Sequence, residues 1–312
     1  MTNWIRKCHL TIGSDDNIDV SGMRIKFIVF RHTLQTPNAS WFRIYNLSKD
    51  TNNKIIQAVS KQATVKLEAG YESDFGPIFQ GKTVYGVTGR ESPTDTYVDV
   101  YCYDGGDATS RATVNHTFPA NTSQKDKVDY LMQQLQPFGV DQGTIKGLSE
   151  TPDPQPETMY GSVFQYLRQI AQSNGQKLYI DNGSVNMMPT NAQGSAGTIQ
   201  LGVATGLIGM PQVTPQGIIV TALISPKYNL NVTLTIDPSQ INQLAIPPTL
   251  QGILQAQSNP NLLGISDGEY VIESIEWRGD TRGEEWYAIM YCHGLYHGGV
   301  NTDYLPRNMS GG

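Results

Sequence analysis

Hydrophobic and polar positions alternate along the N-terminal third of the chain. Apolar residues recur at about every second position in two stretches: Phe42, Ile44 and Leu47, then Val65, Leu67 and Ala69. A period of two is typical of strands with one buried face. Between them, Ser48 is a suitable N-cap for a short helix with an apolar side from Ile55 to Val59. Gly70 and Gly76-Pro77 predict turns after the second strand.

Two helix patterns follow in the middle of the chain. Ser123 is a predicted N-cap, with Asp126 in the first turn of a helix that ends at Leu135. Ser162 is the predicted N-cap of a second helix, which stops at Asn174-Gly175. Each helix carries an apolar stripe, which we interpret as core.

The same region contains an extended connection and a hairpin. Three prolines within Thr151–Pro156 predict an extended connection or loop there. Asn182-Gly183 separates two strand-like runs, Lys177–Asp181 and Ser184–Met188, and is the dipeptide preferred in a type I′ hairpin turn. Residues 108–195 are therefore predicted to form a small α+β domain.

After Thr198 the alternation typical of strands returns. Leu230–Ile236 alternates, and the closing strands Tyr270–Trp277 and Glu285–Cys292 are joined by the polar loop Arg278–Gly283. Loops are predicted around Pro247-Pro248 and from Asn259 to Gly268, and the tail past Gly298 is expected to be weakly ordered.

Several of these segments follow one another in an order found in a known family. They are Phe42–Ser48, Val65–Tyr71 and Ile78–Val84 in the first part, and Thr205–Val213, Gly217–Pro226, Gly268–Asp280 and Gly283–Trp286 in the last part. Together they resemble the first and last domains of tail baseplate hub proteins from tailed bacteriophages and related contractile injection machines.

The resemblance implies a mainly β fold with an α+β insertion. Two β-barrel domains similar to tail-tube subunits would occupy residues 1–107 and 196–312, the second with a C-terminal tail. The family places an inserted domain where the pattern predicts the α+β unit, at residues 108–195.

The implied function is structural. Hub proteins form homotrimers in which two similar barrels per chain give a pseudo-sixfold ring, which joins the hexameric tail tube to the trimeric spike around the DNA exit channel. The implied partners are further copies of the chain, the tail spike, the tail tube or a tube adaptor, and other baseplate and tape-measure proteins. The expected location is the virion tail baseplate, after assembly in the host cytoplasm.

Composition and charge agree with this interpretation. Only 16% of the 312 residues are charged, and uncharged polar surface costs less to desolvate against other subunits. The net charge of -6 opposes tight binding to nucleic acid, so DNA is expected only in passage. No signal peptide, membrane span or stable membrane insertion is predicted. Cys8, Cys102 and Cys292 lack the spacing of a disulfide framework or zinc ribbon and are expected to be free thiols.

Candidate chemistry is sparse, and no catalytic, cofactor or metal site is predicted. The signatures of dinucleotide-binding turns, phosphate-binding loops, zinc proteases and serine hydrolases are not expected in this chain. A metal could be held by Cys292, His293 and His297, although no fourth ligand is evident. Two acid pairs, Glu273 with Glu276 and Glu284 with Glu285, are conceivable glycosidase carboxylates, but we expect Glu273 and Glu276 on the solvent or subunit side of their strand.

Three further interpretations stay open at this point. Arg278-Gly-Asp280 spells an integrin-binding tripeptide, but turn chemistry explains it better. The sixteen tyrosines and four tryptophans suit subunit interfaces and sugar sites alike. The alternative function is therefore a carbohydrate-binding module of the host-adsorption apparatus, and a cell-wall-degrading enzyme is the third.

Overall fold

The computed structural model describes residues 5–13, 17–189, 197–214, 217–237, 239, 241 and 268–294. These residues fall within two compact units. The first comprises Met1–Pro189, Ile224–Tyr228 and Glu276–Ala288, and the second comprises Thr190–Leu223, Asn229–Ile275 and Ile289–Gly312. The fold is mainly β, as the alternating pattern predicts.

Seven antiparallel strands form the sheet of the first unit. They are β1 (Arg6–Ile12), β2 (Ile18–Asp19), β3 (Ile25–His32), β4 (Ala39–Tyr45), β5 (Thr64–Tyr71), β6 (Asp74–Arg90) and β7 (Thr96–Tyr103). Their order is β3-β4-β7-β6-β5-β1-β2. Every second residue of β3 is buried, so one face of the sheet carries the core, as expected for strands of period two.

Helix α1 (Lys49–Ser60) lies between β4 and β5, where the sequence predicts it. The Ser48 hydroxyl accepts a hydrogen bond from the Thr51 N–H at 3.1 Å and so caps one of the free amides of the first turn. Ile55 and Val59 on its inner side are buried. The predicted helix and its cap are confirmed.

The turns predicted at Gly70 and Gly76-Pro77 are wrong. Gly70 lies in β5, Gly76-Pro77 lies in β6, and the chain reverses between Tyr71 and Asp74. The pairing register shifts opposite Leu67 and Glu68. Strands tolerate proline at such a bulge, because the ladder is interrupted there and the missing N–H of proline costs no hydrogen bond.

The first unit continues with four helices or turns and seven strands. They are α2 (Gly106–Arg111), β8 (Thr113–Phe118), β9 (Thr122–Ser123), α3 (Gln124–Leu135), a 3₁₀ turn (Gln136–Phe138), β10 (Asp141–Ile145), β11 (Pro152–Asp153), β12 (Glu157–Ser162), α4 (Val163–Ser173), β13 (Gln176–Asp181) and β14 (Ser184–Pro189). A hydrophobic cluster extends from Ala108 to Met187 and includes the inner faces of α3 and α4. This region therefore has an α+β core of its own.

The local signals in this region are confirmed. Ser123 and Asp126 form a reciprocal capping box at the start of α3, and Ser162 caps α4. Asn182 and Gly183 have φ of 49° and 77°, and β13 pairs with β14 directly across them. Positive φ at both central residues is the geometry of a type I′ turn.

The second unit is also built mainly from strands. Its elements are β15 (Thr198–Leu201), a 3₁₀ turn (Val203–Thr205), β16 (Leu207–Thr214), β17 (Gly217–Leu223), β18 (Thr233–Ile236), and parts of β19 (Glu269–Asp280) and β20 (Trp286–Gly294). β16 and β17 are antiparallel, β15 runs parallel to β18, and β18 pairs with β19. The predicted closing strands correspond to β19 and β20. The predicted loops around Pro247-Pro248 and Asn259, and the tail past Gly298, lie outside the described residues.

Within the described residues, the strand order does not close into a barrel. In the first unit, the β1 end of the sheet instead contacts the turn between β19 and β20 through a side chain. Arg6 Nη1 donates to the Gly283 carbonyl at 2.6 Å, and Arg6 Nη2 donates to the Glu284 carbonyl at 3.3 Å. The two-barrel description of the fold therefore stays a prediction.

Candidate functional site

The acidic residues considered for hydrolysis do not face solvent as a pair. Glu273 and Glu276 are 3% and 5% exposed, so their expected position on the solvent or subunit side of the strand is wrong. Glu276 accepts a hydrogen bond from the Arg278 guanidinium, and Glu273 Oε1 lies 3.0 Å from His293 Nδ1. A buried carboxylate needs such a partner, because an unpaired charge there is costly.

The second acid pair lies on the surface. Glu284 and Glu285 are both exposed, next to the turn between β19 and β20. The Glu284 carbonyl accepts the Arg6 guanidinium, and the Glu285 carbonyl accepts the Asp280 N–H at 2.7 Å. The structure shows turn contacts at this position, and the two side chains project outward.

The cysteine and histidine residues near the end of β20 form no metal cluster in the described part of the chain. In that part, no three His, Cys, Asp or Glu side chains lie within reach of one ion, and His297 lies outside it. Cys102 and Cys292 are buried free thiols, and Cys8 is partly exposed. Burial raises the pKa of the Cys8 thiol to about 12, so this thiol is weakly reactive at neutral pH.

The Arg278-Gly-Asp280 tripeptide is part of the fold of the first unit. Asp280 is 3% exposed. Its carboxylate accepts Arg24 Nε at 3.2 Å, Arg24 Nη2 at 2.8 Å and the Arg282 N–H at 3.0 Å. The explanation through turn chemistry is confirmed, since an aspartate engaged in this way is not displayed to a receptor.

The expectation that the phosphate-binding loop pattern is absent is wrong as regards the spelling of the sequence. Gly76–Thr83 reads G-P-I-F-Q-G-K-T and matches the pattern of phosphate-binding loops. Such a loop joins a strand to a helix and points free backbone N–H groups at phosphate. Here the segment lies within β6 and pairs with β5, Thr83 is fully buried, and Lys82 Nζ donates to the Phe138 carbonyl at 3.0 Å. The match is coincidental.

A buried polar network joins β3 to the β13–β14 hairpin within the first unit. Arg31 is 1% exposed, and its Nε and Nη2 each lie 2.6 Å from one oxygen of Asp181. Its Nη1 donates to the Ile78 carbonyl at 3.2 Å, and its guanidinium lies 5.2 Å from the ring centre of Trp277. We call this group the Arg31 network. No local pattern in the sequence predicts it.

Three further contacts hold the same hairpin. Asn38 Nδ2 donates to the Ile180 carbonyl at 2.9 Å. The Gln80 N–H donates to Asn182 Oδ1 at 3.0 Å, and the Gly183 N–H donates to Asp104 Oδ1 at 2.8 Å. The hairpin is thus fixed by directional bonds along its length, which favours one rigid arrangement of the first unit.

Asp104 makes the stability of this junction depend on pH. Burial, together with the nearby Asp181 carboxylate, raises the pKa of Asp104 to about 7, against the opposing hydrogen bond from Gly183. The folded state therefore keeps a proton that the unfolded chain releases above its ordinary pKa of 3.8. The stabilisation is complete at low pH and is lost as the pH rises to about 7.

We expect Asp104→Asn to stabilise the protein progressively as the pH rises. Asparagine keeps the acceptor oxygen for Gly183 and cannot ionise. Its advantage over the wild type should grow by roughly 3 kcal/mol between about pH 4.5 and about pH 8, because one pKa unit corresponds to about 1.4 kcal/mol. Urea unfolding across this range measures the difference. An advantage that stays constant with pH would contradict the assignment.

The most conspicuous exposed surface of the first unit is aromatic. Val84 and Tyr85 on β6 and Tyr101 and Tyr103 on β7 are between 43% and 58% exposed. The rings of Tyr85 and Tyr101 are 6.0 Å apart. Beside these side chains, a groove is lined by Ile56 and other residues of α1, by β6 and by Arg111. Exposed apolar side chains in contact with one another are typical of protein or ligand contacts.

The comparison of the sequence with known families decides its identity. Residues 5–246 match the family described as baseplate hub gp41. The chain belongs to the baseplate hub gp41 family. The resemblance in the sequence is thereby confirmed, and the family is that of a structural component of phage tails.

Solved structures of tail proteins share the fold of this baseplate hub protein. The 43 kDa tail protein of prophage MuSo2 from Shewanella oneidensis has a TM-score of 0.58 at 12% identity, and the tail protein from Neisseria meningitidis MC58 has 0.56 at 8%. Both alignments cover 93% of this chain and 97% of the other. The E. coli c3393 protein, a component of the type VI secretion system, has 0.51 at 10%, over 91% of this chain and 76% of that chain.

Two further findings complete the comparison. No curated protein sequence matches this baseplate hub chain significantly. Helices in the described ranges are at most 12 residues long, and none combines the length and apolar character required to cross a membrane. The expectation that the chain is not an enzyme agrees with the structural role of its family.

Proposed function

We propose that this chain forms a homotrimeric ring of pseudo-sixfold symmetry in the baseplate. The ring would join the hexameric tail tube to the trimeric spike and surround the channel through which DNA leaves. The observation that carries the proposal is the match of residues 5–246 to the baseplate hub gp41 family.

The proposed mechanism is symmetry matching. Residues 1–107 and 196–312 would each form a domain similar to a tail-tube subunit, and residues 108–195 would be the inserted α+β domain. Three chains would then present six similar domains to the tube and one threefold face to the spike. The separate hydrophobic cluster from Ala108 to Met187 supports the inserted domain, and the strand-rich regions before and after it support the other two.

The proposed partners are the tail spike, the tail tube or a tube adaptor, and other baseplate and tape-measure proteins. Support comes from the c3393 protein, which is similar in structure to the T4 bacteriophage tail proteins gp27 and gp5. DNA would pass through without stable binding, since the chain has a net charge of -6. Assembly would take place in the host cytoplasm, before the hub becomes part of the virion.

Light scattering behind a sizing column tests the proposal, with negative-stain images of the same peak. We expect a mass of three chains and a ring with a central pore. If the chain is monomeric alone, co-expression with the spike and tube proteins must yield the trimer. A chain that stays monomeric with both partners present, and is retained on host polysaccharide, would contradict the hub and favour the carbohydrate-binding alternative.

A further inference from the structure

A long stretch of the chain carries no charged residue. Between Asp181 and Lys227 there is no Asp, Glu, Lys, Arg or His. In a chain in which 16% of residues are charged, a segment of this length would ordinarily contain several. Desolvating an uncharged surface costs less free energy than desolvating charges, so this segment is suited to a subunit contact.

Part of this segment projects apolar side chains from an edge strand. β16 is the last strand in the order of its sheet among the described strands, and its register with β17 shifts between Ile208 and Gln212. Gly209 has a φ of 68°, and Ile208 and Met210 are 40% and 59% exposed. Bulges re-aim side chains in this way. We call Ile208, Gly209 and Met210 the β16 knob.

The groove beside the exposed tyrosines has the opposite shape. Ile56, Val59, Val84 and Tyr85 provide its apolar lining, and Lys61 and Arg111 contribute cationic side chains. No acidic residue lines it. We call this depression the α1–β6 groove; it belongs entirely to the first unit.

We propose that the β16 knob of one copy of this chain binds in the α1–β6 groove of the next copy. The contact rests on the proposed trimer, and these two surfaces would form each of its subunit interfaces. A ring is closed by heterologous contacts, in which each subunit uses two different patches. Among the described residues, the β16 knob is an exposed apolar projection of the second unit, and the α1–β6 groove is a depression of the first unit with apolar and cationic side chains, so the two patches differ as such a contact requires.

The cationic side chains of the groove also suit the backbone groups of a strand edge. An edge strand presents unpaired backbone carbonyl groups. Lys61 and Arg111 are exposed donors that can bind them, Arg111 through the N–H groups that its ion pair with Asp107 at 3.6 Å leaves available. The chain already contains such a contact, because Arg6 donates to the carbonyls of Gly283 and Glu284. The β16 segment brings no cation toward these two side chains, so no like-charge repulsion opposes the contact.

Chemical cross-linking of paired cysteines tests the contact. Tyr85→Cys and Met210→Cys are combined in a full-length chain with Cys8→Ala, which removes the one cysteine that is not fully buried. With a short bismaleimide reagent we expect covalent dimers and trimers on denaturing gels. The matched control pairs Met210→Cys with Tyr160→Cys, since Tyr160 is 77% exposed and lies outside the groove. It should give no more than background cross-linking.

A charge substitution gives an independent measurement. Met210→Asp places a carboxylate in the contact. We expect the dissociation constant of the trimer, measured by light scattering over a range of concentrations, to rise at least roughly tenfold. Tyr160→Asp should leave the mass unchanged. If wild type and Met210→Asp are equally trimeric and no specific cross-link forms, the contact is overturned while the trimeric hub stands. If the wild-type chain is monomeric at every concentration, alone and with spike and tube proteins, the hub ring and this contact both fail.

Discussion

Replacing Arg31 with methionine is expected to destabilise the protein by about 3 to 5 kcal/mol, the usual cost of leaving one member of a buried ion pair without its partner. Arg31 is 1% exposed and holds both oxygens of Asp181 at 2.6 Å. Methionine fills much of the same volume but donates no hydrogen bond. The Asp181 carboxylate and the Ile78 carbonyl would then lose a charged donor. Guanidinium chloride unfolding, followed by fluorescence, measures the change.

A surface ion pair provides the control for this substitution. Lys7 Nζ lies 3.3 Å from Glu72 Oε1, with side chains 45% and 66% exposed. Lys7→Met should therefore change the free energy of unfolding by less than about 1 kcal/mol. The double variant Arg31→Met/Asp181→Leu should recover part of the loss, because the unpaired charge is removed with its partner. Equal effects of Arg31→Met and Lys7→Met would show that the Arg31 network does not stabilise the fold.

Local elements of this fold were predictable because their signals lie within a few residues. Ser123 and Asp126 are three positions apart and cap each other. Asn182-Gly183 determines a turn whose two residues both need positive φ. The alternation of apolar and polar residues in Val65–Ala69 corresponds to the buried face of β5. In each case, the physics that forms the element acts between near neighbours in the sequence.

The Arg31 network was not predictable because its members are far apart in the chain. Arg31 and Asp181 are separated by 150 positions, and nothing near either residue shows that they meet. Only the pairing of strands brings them together. A short motif can also match without the structure that its function requires. Gly76–Thr83 has the spelling of a phosphate-binding loop, but its backbone groups are hydrogen-bonded to β5 as part of a strand. The conformation and the function of a short segment therefore depend on its tertiary context.

The sequence predicts that contact surfaces exist, but not which residues form them. The abundance of tyrosine indicates contact surfaces, but the sequence does not show which rings are exposed. Tyr45 is buried, whereas Tyr85 is 58% exposed. The same holds for the acidic residues of β19, which their charge alone would place on the outside. Glu273 and Glu276 are instead buried with partners.

The second large effect is expected at Gly70, where Gly70→Ala should cost about 3 kcal/mol or more. Its φ of 150° is rarely adopted by residues with a side chain, and an ideal Cβ there would lie 2.1 Å from the Asp74 carbonyl oxygen. That oxygen belongs to the backbone of the adjoining strand β6, so it can move only if the β5–β6 pairing is distorted. The free energy of unfolding in urea measures the cost.

Gly22→Ala is the matched control, because no atom lies within 4 Å of its ideal Cβ. We expect a change of less than about 0.5 kcal/mol there. The difference between the two variants separates the steric demand at Gly70 from the general effect of alanine on the unfolded chain, since both substitutions reduce its freedom equally. If both variants unfold at the same urea concentration, the close approach of β5 and β6 at Gly70 is wrong. A loss confined to Gly70→Ala would show that this glycine is required for the close approach of β5 and β6 beside their strand reversal.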